Sequence, residues 1–352
     1  MIFGGIMPAT IGYTLSCEEF GPQTLVDNAR RAEQAGFDFV GISDHFHPWT
    51  NRQGQSPFMW SVLGGISQVT SEIRVLLEVV CPIMRVSPAI VAQAAATSAA
   101  LLPDRFVLGV GTGEYLNEHI TGEGWPHIDI RREMLAEAVD VIRQLWRGEW
   151  INFAGEYFTV EQAKLYTLPE HLPPIVVAGS GPKSAAMGGM IGDGFVSIAP
   201  KRELISAFEE GGGRGKPKYG QVLVCYADTE AEAREIAFRY WPNAGISGQA
   251  TSELRLPAYF EQVAQTLTPE QATKQVALGP DPRRHIEAIR QFVDAGYDHV
   301  YVHQIGPRQV EFIQFYEREV LPEIVTETLE EQQAADHKLS FREHLDRELP
   351  DD

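Results

Sequence analysis

The residues best suited to chemistry follow a short apolar run near position 40. Residues 39–42 predict a buried strand, and Asp44, His45 and Trp49 come directly after it. This order places a group that titrates near neutral pH beside a carboxylate and a large flat apolar side chain. Such a set suits proton transfer next to a flat ligand. The purely structural alternative is a helix cap at Ser43 or Asp44, followed by aromatic residues packed under a loop.

Strands and helices that would position these residues alternate along the chain. Short, mostly apolar strands are predicted eight times, and helices that begin at prolines or end at glycines separate them. Eight consecutive units favour a closed α/β fold, the (β/α)8 TIM barrel with insertions, over an open doubly wound sheet. The predicted strands are 9–15, 39–43, 73–80, 106–110, 175–178, 195–198, 221–226 and 299–303.

Length and composition narrow the organisation and the class of protein. The 352 residues suit one barrel over 1–326, with excursions near 148–172 and 241–275, followed by an acidic tail at 327–352. The net charge of −19 argues against non-specific nucleic-acid binding.

The three cysteines lie far apart without metal-ligand spacing, so we expect no metal site and a reducing, cytoplasmic setting. Neither a signal peptide nor a bilayer-spanning apolar run is evident, so no membrane partner is expected.

The loops that follow the strands form the active site of such a barrel. His45 and Glu114 then converge on one mouth, where a histidine and a carboxylate make a plausible base and acid pair. Glu114 considered alone is also explained as a helix N-terminal residue favoured by the helix dipole. The turn at 179–181 enters a helix whose free N–H groups could hold a phosphate, although its spacing matches no nucleotide-binding fingerprint.

Three short motifs stand out among the segments that connect this chain to a known family. They are Ser-Asp-His-Phe at 43–46 with Pro-Trp at 48–49, Gly-Val-Gly-Thr-Gly-Glu at 109–114 with Leu-Asn-Glu at 116–118, and Gly-Asp-Gly-Phe at 192–195. With them the chain resembles the luciferase-like flavin and deazaflavin barrel superfamily from about residue 11 to 325. More narrowly, it resembles the F420-dependent glucose-6-phosphate dehydrogenase family.

The resemblance implies coenzyme F420 as the cofactor and hydride transfer to it from a hydroxyl carbon of a small-molecule substrate. His45 would take the hydroxyl proton, Glu114 would protonate or steady the reduced cofactor, and Trp49 would pack near the reacting centre. The Glu78-Val79 peptide falls where the family carries a non-proline cis bond. The residues that the resemblance assigns to cofactor binding are Asp44, Glu78, Val79, Thr112, Gly113, Asn117, Gly179, Ser180 and Gly181.

The resemblance weakens where family members hold the phosphate of a sugar phosphate. Lys201 matches one lysine, but Ile198 stands at the threonine position and Gln262 at a second lysine. Arg283 or Arg284 would supply the remaining arginine. Each charge-assisted bond lost removes roughly 1.5–3 kcal/mol, so a non-phosphorylated alcohol competes with a sugar phosphate as the substrate.

Two further readings stay open, and one assembly is expected. The chain could be an FMN-dependent monooxygenase of the wider superfamily, or a non-catalytic barrel that serves as a binding module. Because this fold commonly pairs through its outer helices, we expect a homodimer.

Overall fold

The computed structural model describes residues 9–246 and 248–324. Within these residues, eight parallel strands close into a barrel, which confirms the predicted (β/α)8 fold. The barrel strands are β1 (Thr10–Leu15), β2 (Phe39–Ile42), β3 (Arg74–Leu77), β4 (Phe106–Val110), β7 (Ile175–Ala178), β8 (Gly194–Ser197), β9 (Lys218–Cys225) and β11 (His299–Gln304). The remaining strands are β5 (Ile151–Ala154), β6 (Thr159–Ala163) and β10 (Ala277–Leu278).

Strand β9 closes the barrel and is longer than its neighbours. Its first residues pair with β8, and its length pairs with β11, which in turn pairs with β1. Its last two pairs join Val224 and Cys225 to the two residues of β10. The parallel register places the carboxyl ends of all these strands at one mouth, so the following loops meet there.

Helices surround the barrel and bury their apolar stripes against the outer faces of the strands. Proline opens several of them, where its missing N–H costs no hydrogen bond. The helices are α1 (Pro22–Gln34), α2 (Met59–Val69), α3 (Pro88–Leu101), α4 (Tyr115–Glu118), α5 (Ile128–Leu145), α6 (Pro182–Ile191), α7 (Arg202–Phe208), α8 (Glu230–Tyr240), α9 (Ala250–Glu253), α10 (Pro257–Ala264), α11 (Pro269–Ala272), α12 (Pro282–Ala295) and α13 (Gln309–Phe315).

The barrel interior is a separate apolar cluster from the layer between strands and helices. It contains Phe39, Tyr219 and Tyr301, whose rings meet at centroid distances of 5.7 and 6.0 Å, together with aliphatic side chains from the neighbouring strands. Val79 and Ala178 are half-buried and pack on this cluster. The interior is therefore filled, and these two residues form part of its upper, mouth-facing layer.

Two excursions interrupt the alternation of strands and helices. Strands β5 and β6 form an antiparallel hairpin in the first excursion. The second excursion, residues 241–275, contains α9, α10 and α11. The short strand β10 that follows it was not predicted, because two residues carry too little alternation to be recognised.

Two strand boundaries differ from the predicted ones by three residues. Strand β3 ends at Leu77 rather than residue 80, although Val80 forms an isolated bridge with Val110. Strand β9 begins at Lys218, three residues earlier than predicted, and α5 begins at Ile128 behind the cap residue His127. The predicted boundary at residue 326 and the acidic tail at 327–352 lie outside the described residues.

Candidate active site

His45 lies in the loop after β2 with both ring nitrogens in contact. Its Nε2 is 3.2 Å from Oε1 of Glu18, and its Nδ1 is 3.0 Å from the carbonyl oxygen of His47. Nδ2 of Asn117 also lies 3.2 Å from Nδ1. The side chain is only 9% exposed, so its ring orientation is determined by these neighbours. The Glu18 carboxylate beside Nε2 stabilises the protonated ring, which is the form that exists after a base has taken a proton, whereas the Asn117 amide nitrogen is a donor and favours an unprotonated Nδ1.

Glu18, the carboxylate beneath His45, follows β1 and is buried. Its Oε2 accepts hydrogen bonds from Ser43 Oγ at 2.6 Å and Ser16 Oγ at 3.0 Å. Burial alone would raise the pKa of Glu18, but nearby His45 and the hydrogen bond from Ser43 bring it below its usual value. Glu18 is thus an ionised partner for His45. Sequence reasoning did not assign it a role, although it follows a barrel strand in the same way as His45 does.

Trp49 joins the His45 loop to the second excursion. Its ring lies 5.0 Å from the His45 ring and 5.1 Å from the ring of Phe260 in α10. Glu261, the next residue of α10, accepts hydrogen bonds from the backbone N–H and the side-chain amide of Asn51. The excursion therefore covers the loop that carries His45, and Trp49 is half-buried between the loop and the excursion.

Asp44 belongs to a buried cluster of one arginine and two carboxylates. Its Oδ2 accepts from Arg85 Nη2 at 2.6 Å, and Glu118 accepts from the backbone N–H of Arg85 at 2.8 Å and lies 3.5 Å from its Nε. Burial raises the pKa of Glu118 to about 7, despite the attraction of Arg85. The cluster connects the loops after β2, β3 and β4, and it holds Asp44 beside His45.

Asn117 fixes the His45 loop from the neighbouring unit. Its Oδ1 accepts hydrogen bonds from the backbone N–H groups of Phe46 at 2.9 Å and His47 at 3.2 Å. The residue is buried at 1% exposure, so these bonds are shielded from water. Predicted as a cofactor-binding residue, Asn117 also has this positioning role toward His45.

Glu114 sits at the start of α4, where its carbonyl oxygen accepts from the N–H groups of Asn117 and Glu118. Its side chain is half-buried, and its carboxylate makes no hydrogen bond or ion pair with the residues that the structure describes. His45 and Glu114 are thus linked through Asn117 rather than by direct contact. Their action as a base and acid pair stays a prediction.

The cis peptide between Glu78 and Val79 lies at the mouth end of β3, where the resemblance placed it. The Glu78 carboxyl group lies 3.3 Å from Thr14 Oγ1 and 3.2 Å from Gln221 Nε2. Burial, reinforced by the charge of Glu18, raises the pKa of Glu78 well above its usual value. A side chain at Gly41 would bring Cβ within 1.4 Å of this carboxyl, which explains the glycine.

The remaining cofactor candidates lie in two glycine-containing loops after β4 and β7. Thr112 and Gly113 are half-buried, and Gly113 has a φ of 73°, a conformation that glycine adopts without strain. Gly179 donates its N–H to Val196, Ser180 is exposed, and Gly181 caps α6.

Two cations flank the turn at 179–181. Arg132 donates to Ser184 Oγ at 2.9 Å, and both Arg132 and Lys183 lie near Asp129, at 2.5 and 3.5 Å. This end of the mouth thus combines free helix N–H groups with positive side chains, which suits an anionic group.

The four residues assigned to a substrate phosphate lie at the start of α7, in α10 and at the start of α12. Lys201 is exposed at the start of α7, and Gln262 is exposed on α10. Arg284 pairs with Glu230 of α8 at 2.8 Å, while Arg283 lies 3.4 Å from Asp281 in its own cap. Hydrogen bonds and ion pairs do not join these four residues to one another or to His45 in the part of the chain that the structure describes.

The described ranges, 9–246 and 248–324, also bear on metal binding and on membrane insertion. His, Cys, Asp and Glu side chains do not assemble there into a group that could hold a metal ion. No helix of these ranges combines the length and apolar character needed to cross a membrane.

The barrel carries a buried histidine and several carboxylates at its mouth. Comparison of the sequence with known protein families identifies its family. Residues 1–299 match the luciferase-like monooxygenase family, so the chain belongs to that family. This confirms the resemblance inferred from the motifs.

Individual relatives narrow the comparison. The F420-dependent glucose-6-phosphate dehydrogenase of Rhodococcus erythropolis is 35% identical over 328 residues, which cover 89% of this chain and 97% of that protein. The enzyme of the same name from Intrasporangium calvum is 36% identical and covers 89% and 98%. Among solved structures, an F420-dependent secondary alcohol dehydrogenase in complex with an F420-acetone adduct has a TM-score of 0.84 at 32% identity, covering 90% of this chain and 99% of that one.

Proposed function

We propose that this chain is an F420-dependent dehydrogenase that oxidises a hydroxyl carbon by hydride transfer to the deazaflavin. The observation that carries the proposal is His45, held at the mouth between Glu18, the His47 carbonyl and Asn117. A buried histidine beside an ionised carboxylate is suited to accept the proton that an alcohol loses as it is oxidised. The relatives named for F420-dependent dehydrogenation support the same reaction class.

The residues at the mouth fit coenzyme F420. Val79 and Ala178 offer a half-buried apolar surface for a flat ring, and Asp44 presents a carboxylate held by Arg85. The turn at 179–181 and the cations beside it suit the anionic part of the cofactor. When bound, F420 supplies a ring carbon that accepts the hydride.

His45 acts as the base and receives the hydroxyl proton. Glu18 then compensates the positive charge of the imidazolium, and the His47 carbonyl accepts the Nδ1 proton. Because both acceptors are already in place, the charge developed on His45 needs little reorganisation. Trp49 packs against the ring and excludes water on that side.

Glu114 acts as the acid that protonates or steadies the reduced cofactor. Its carboxylate is not engaged by the described residues, so it is available to a ligand at the mouth. Substituting Glu114 by Gln is expected to slow the chemical step while sparing cofactor binding.

The substrate is proposed as a sugar phosphate resembling glucose 6-phosphate, with Lys201 and an arginine as phosphate ligands. A specific observation favours a second candidate, a non-phosphorylated alcohol. Arg283 and Arg284 are each engaged by a carboxylate, and Gln262 carries no charge. A phosphate would have to displace those carboxylates before it gained either arginine.

The test is the loss of oxidised-F420 absorbance when the protein is given F420 and glucose 6-phosphate, with isopropanol in parallel. Turnover with either one supports the dehydrogenase, and the better substrate identifies the class. Binding of FMN in preference to F420 would favour the monooxygenase reading. Tight F420 binding without turnover of either substrate would show that both proposed substrates are wrong. Binding of neither cofactor would favour a non-catalytic module.

We also propose a homodimer in the cytoplasm, with one barrel unit over 1–326 and an acidic tail over 327–352. Light scattering after size-exclusion chromatography measures the assembly, and a mass of one chain would contradict it. Limited proteolysis followed by mass spectrometry tests the boundary. Cleavage concentrated inside 9–324 would contradict the single unit.

A further inference from the structure

A stack of two arginines and two aromatic rings lies beside the Glu114 loop. The guanidinium of Arg131, in α5, lies 3.8 Å from the ring centroid of Trp125. The Trp125 ring is nearly parallel to the Tyr115 ring, with centroids 5.3 Å apart and planes at 14°. Arg255 lies 5.6 Å from the Tyr115 ring. We call these four residues the arginine–aromatic stack.

Arg131 is the buried member of the stack, with 1% of its side chain exposed. Its Nη1 donates to the carbonyl oxygen of Gly113 at 3.3 Å, and its Nη2 donates to Glu253 Oε1 at 3.0 Å. Burying a charge is costly, and a long apolar side chain would fill the same space more cheaply. The guanidinium is therefore best explained by where its two hydrogen bonds lead.

One of those bonds leads to the peptide that precedes Glu114. Gly113 has a φ of 73°, and its carbonyl belongs to the peptide group shared with Glu114. Tyr115, the residue after Glu114, lies in the stack. Both neighbours of Glu114 are thus tied to Arg131, directly or through Trp125, while the Glu114 carboxylate itself is left open.

The other bond leads to the second excursion, residues 241–275. Glu253 ends α9, and Arg255, two residues on, contacts Tyr115. Farther along the same excursion, Phe260 packs on Trp49 and Glu261 bonds Asn51. The excursion therefore touches the loops that carry His45 and Glu114, and Arg131 is the buried connection on the Glu114 side.

We propose that Arg131 is a positioning residue that couples the seating of the second excursion to the placement of Glu114. With the excursion seated, Glu253 and the Trp125 ring hold the guanidinium, and the guanidinium holds the Gly113 carbonyl so that Glu114 faces the mouth. Release of Glu253 frees the guanidinium and the Glu114 loop with it. The inference rests on the proposed role of Glu114 as the acid.

The experiment compares Glu253→Gln and Arg131→Lys with a matched control pair on the same helix. Arg143 and Asp193 form an exposed ion pair at 2.9 Å near the other end of α5, so Arg143→Lys and Asp193→Asn control for loss of an ion pair there. Cofactor affinity is measured by F420 fluorescence titration, kcat and KM by F420 reduction, and seating by amide hydrogen exchange of 250–264.

For Glu253→Gln and Arg131→Lys, kcat is expected to fall about tenfold, a change of about 1.4 kcal/mol in the barrier. The dissociation constant for F420 is expected to stay within about twofold of the wild-type value, since the observed contacts reach Glu114 and not the turn at 179–181. Exchange over 250–264 is expected to rise. The control variants are expected to leave all three measurements unchanged.

The decisive measurement repeats Glu253→Gln in a Glu114→Gln background. If Arg131 acts through Glu114, the second substitution adds less than about a twofold further loss, because the group being positioned is already gone. Independent, multiplicative losses would overturn the proposal, as would unchanged kcat and exchange in both single variants. Glu253 is half-exposed, so Glu253→Gln creates no buried cavity and is expected to fold. It therefore tests the proposal even if Arg131→Lys fails to fold.

The hydrogen-exchange arm separates this inference from the proposed function. If wild-type protein fails to bind F420, the dehydrogenase assignment fails, yet raised exchange over 250–264 in Arg131→Lys still supports the part of the inference in which Arg131 seats the excursion. If the wild type is active and the exchange of both variants equals that of the wild type, the coupling alone is wrong.

Discussion

The polar residues around His45 and the four residues assigned to a substrate phosphate differ in how they are built into the barrel. Around His45, the side chains of Glu18 and Asn117 are buried, and each contacts the His45 ring. The three residues follow three different barrel strands. Arg283 and Arg284 are exposed and pair with carboxylates on the outer helices, while Lys201 and Gln262 are exposed elsewhere. The proposed base is therefore held by buried contacts, whereas the candidate phosphate ligands are exposed.

The difference has energetic consequences. A buried charge that loses its partner costs several kcal/mol, because water cannot replace the partner. Exposed ion pairs contribute roughly 0–1 kcal/mol, so their partners can change without affecting the fold. Substitutions among the buried contacts around His45 are therefore expected to cost more than substitutions at the exposed ion pairs of Arg283 and Arg284.

The largest effect is expected from His45→Ala, which removes the base. We expect kcat to fall by about 10²–10⁴, the range for loss of a general base. Cofactor affinity should change little, since the apolar surface of Val79 and Ala178 and the turn at 179–181 are unchanged. Steady-state kinetics and F420 fluorescence titration measure the two quantities. His47→Gln, in the same loop, should lose less than about tenfold; equal losses in turnover and affinity for His45→Ala would contradict the assignment.

The next effect is expected from Arg85→Met, which leaves Asp44 and Glu118 without their cation. The free energy of unfolding should fall by about 3–5 kcal/mol, measured by denaturant titration. Arg308 offers the matched control, since it also lies between two carboxylates, Asp228 and Glu232, but at the surface. Arg308→Met should cost less than about 1 kcal/mol. Similar losses for the two variants would contradict the contrast between buried and exposed charge.

A smaller effect concerns the pH dependence of stability through Glu118. Its pKa is about 7 in the folded protein, above its value of 4.5 when exposed. Between these values the unfolded chain releases the proton while the folded chain keeps it, so stability falls as pH rises through this window. The total is about 3 kcal/mol. Denaturant titrations from pH 5 to 8 should show this fall for wild type relative to Glu118→Gln; parallel curves would be the contrary result.

The smallest effect is expected at the surface, from the double substitution Arg283→Gln and Arg284→Gln. The free energy of unfolding should change by less than about 1 kcal/mol, because both ion pairs are exposed. If the substrate is a non-phosphorylated alcohol, KM should stay within about twofold. A tenfold rise in KM for glucose 6-phosphate would instead place the phosphate at these arginines. Lys201→Gln tested alone would then locate its second ligand.

Features that depend on neighbouring residues in the sequence were predicted, whereas features that depend on contacts between distant residues were not. The strand before Asp44, the proline-led helices and the order of the units follow from periodicity, so the barrel and the mouth position of His45 were predicted. Glu18 and Arg85 were not assigned roles, because each acts by contact with a residue 27 or 41 positions away. The phosphate ligands were inferred from resemblance alone, and their role stays a prediction.

The sequence by itself determined which groups reach the mouth, because in a parallel barrel every strand ends at the same face. It also determined the chemistry those groups offer, since a histidine, carboxylates and glycine turns have fixed donor and acceptor properties. Only the tertiary structure decided their states. The pKa of Glu18 is lowered beside His45, that of Glu78 is raised well above its usual value, and that of Glu118 is about 7. Three residues of one type differ because burial and partners, not residue type, set the energy of a charge.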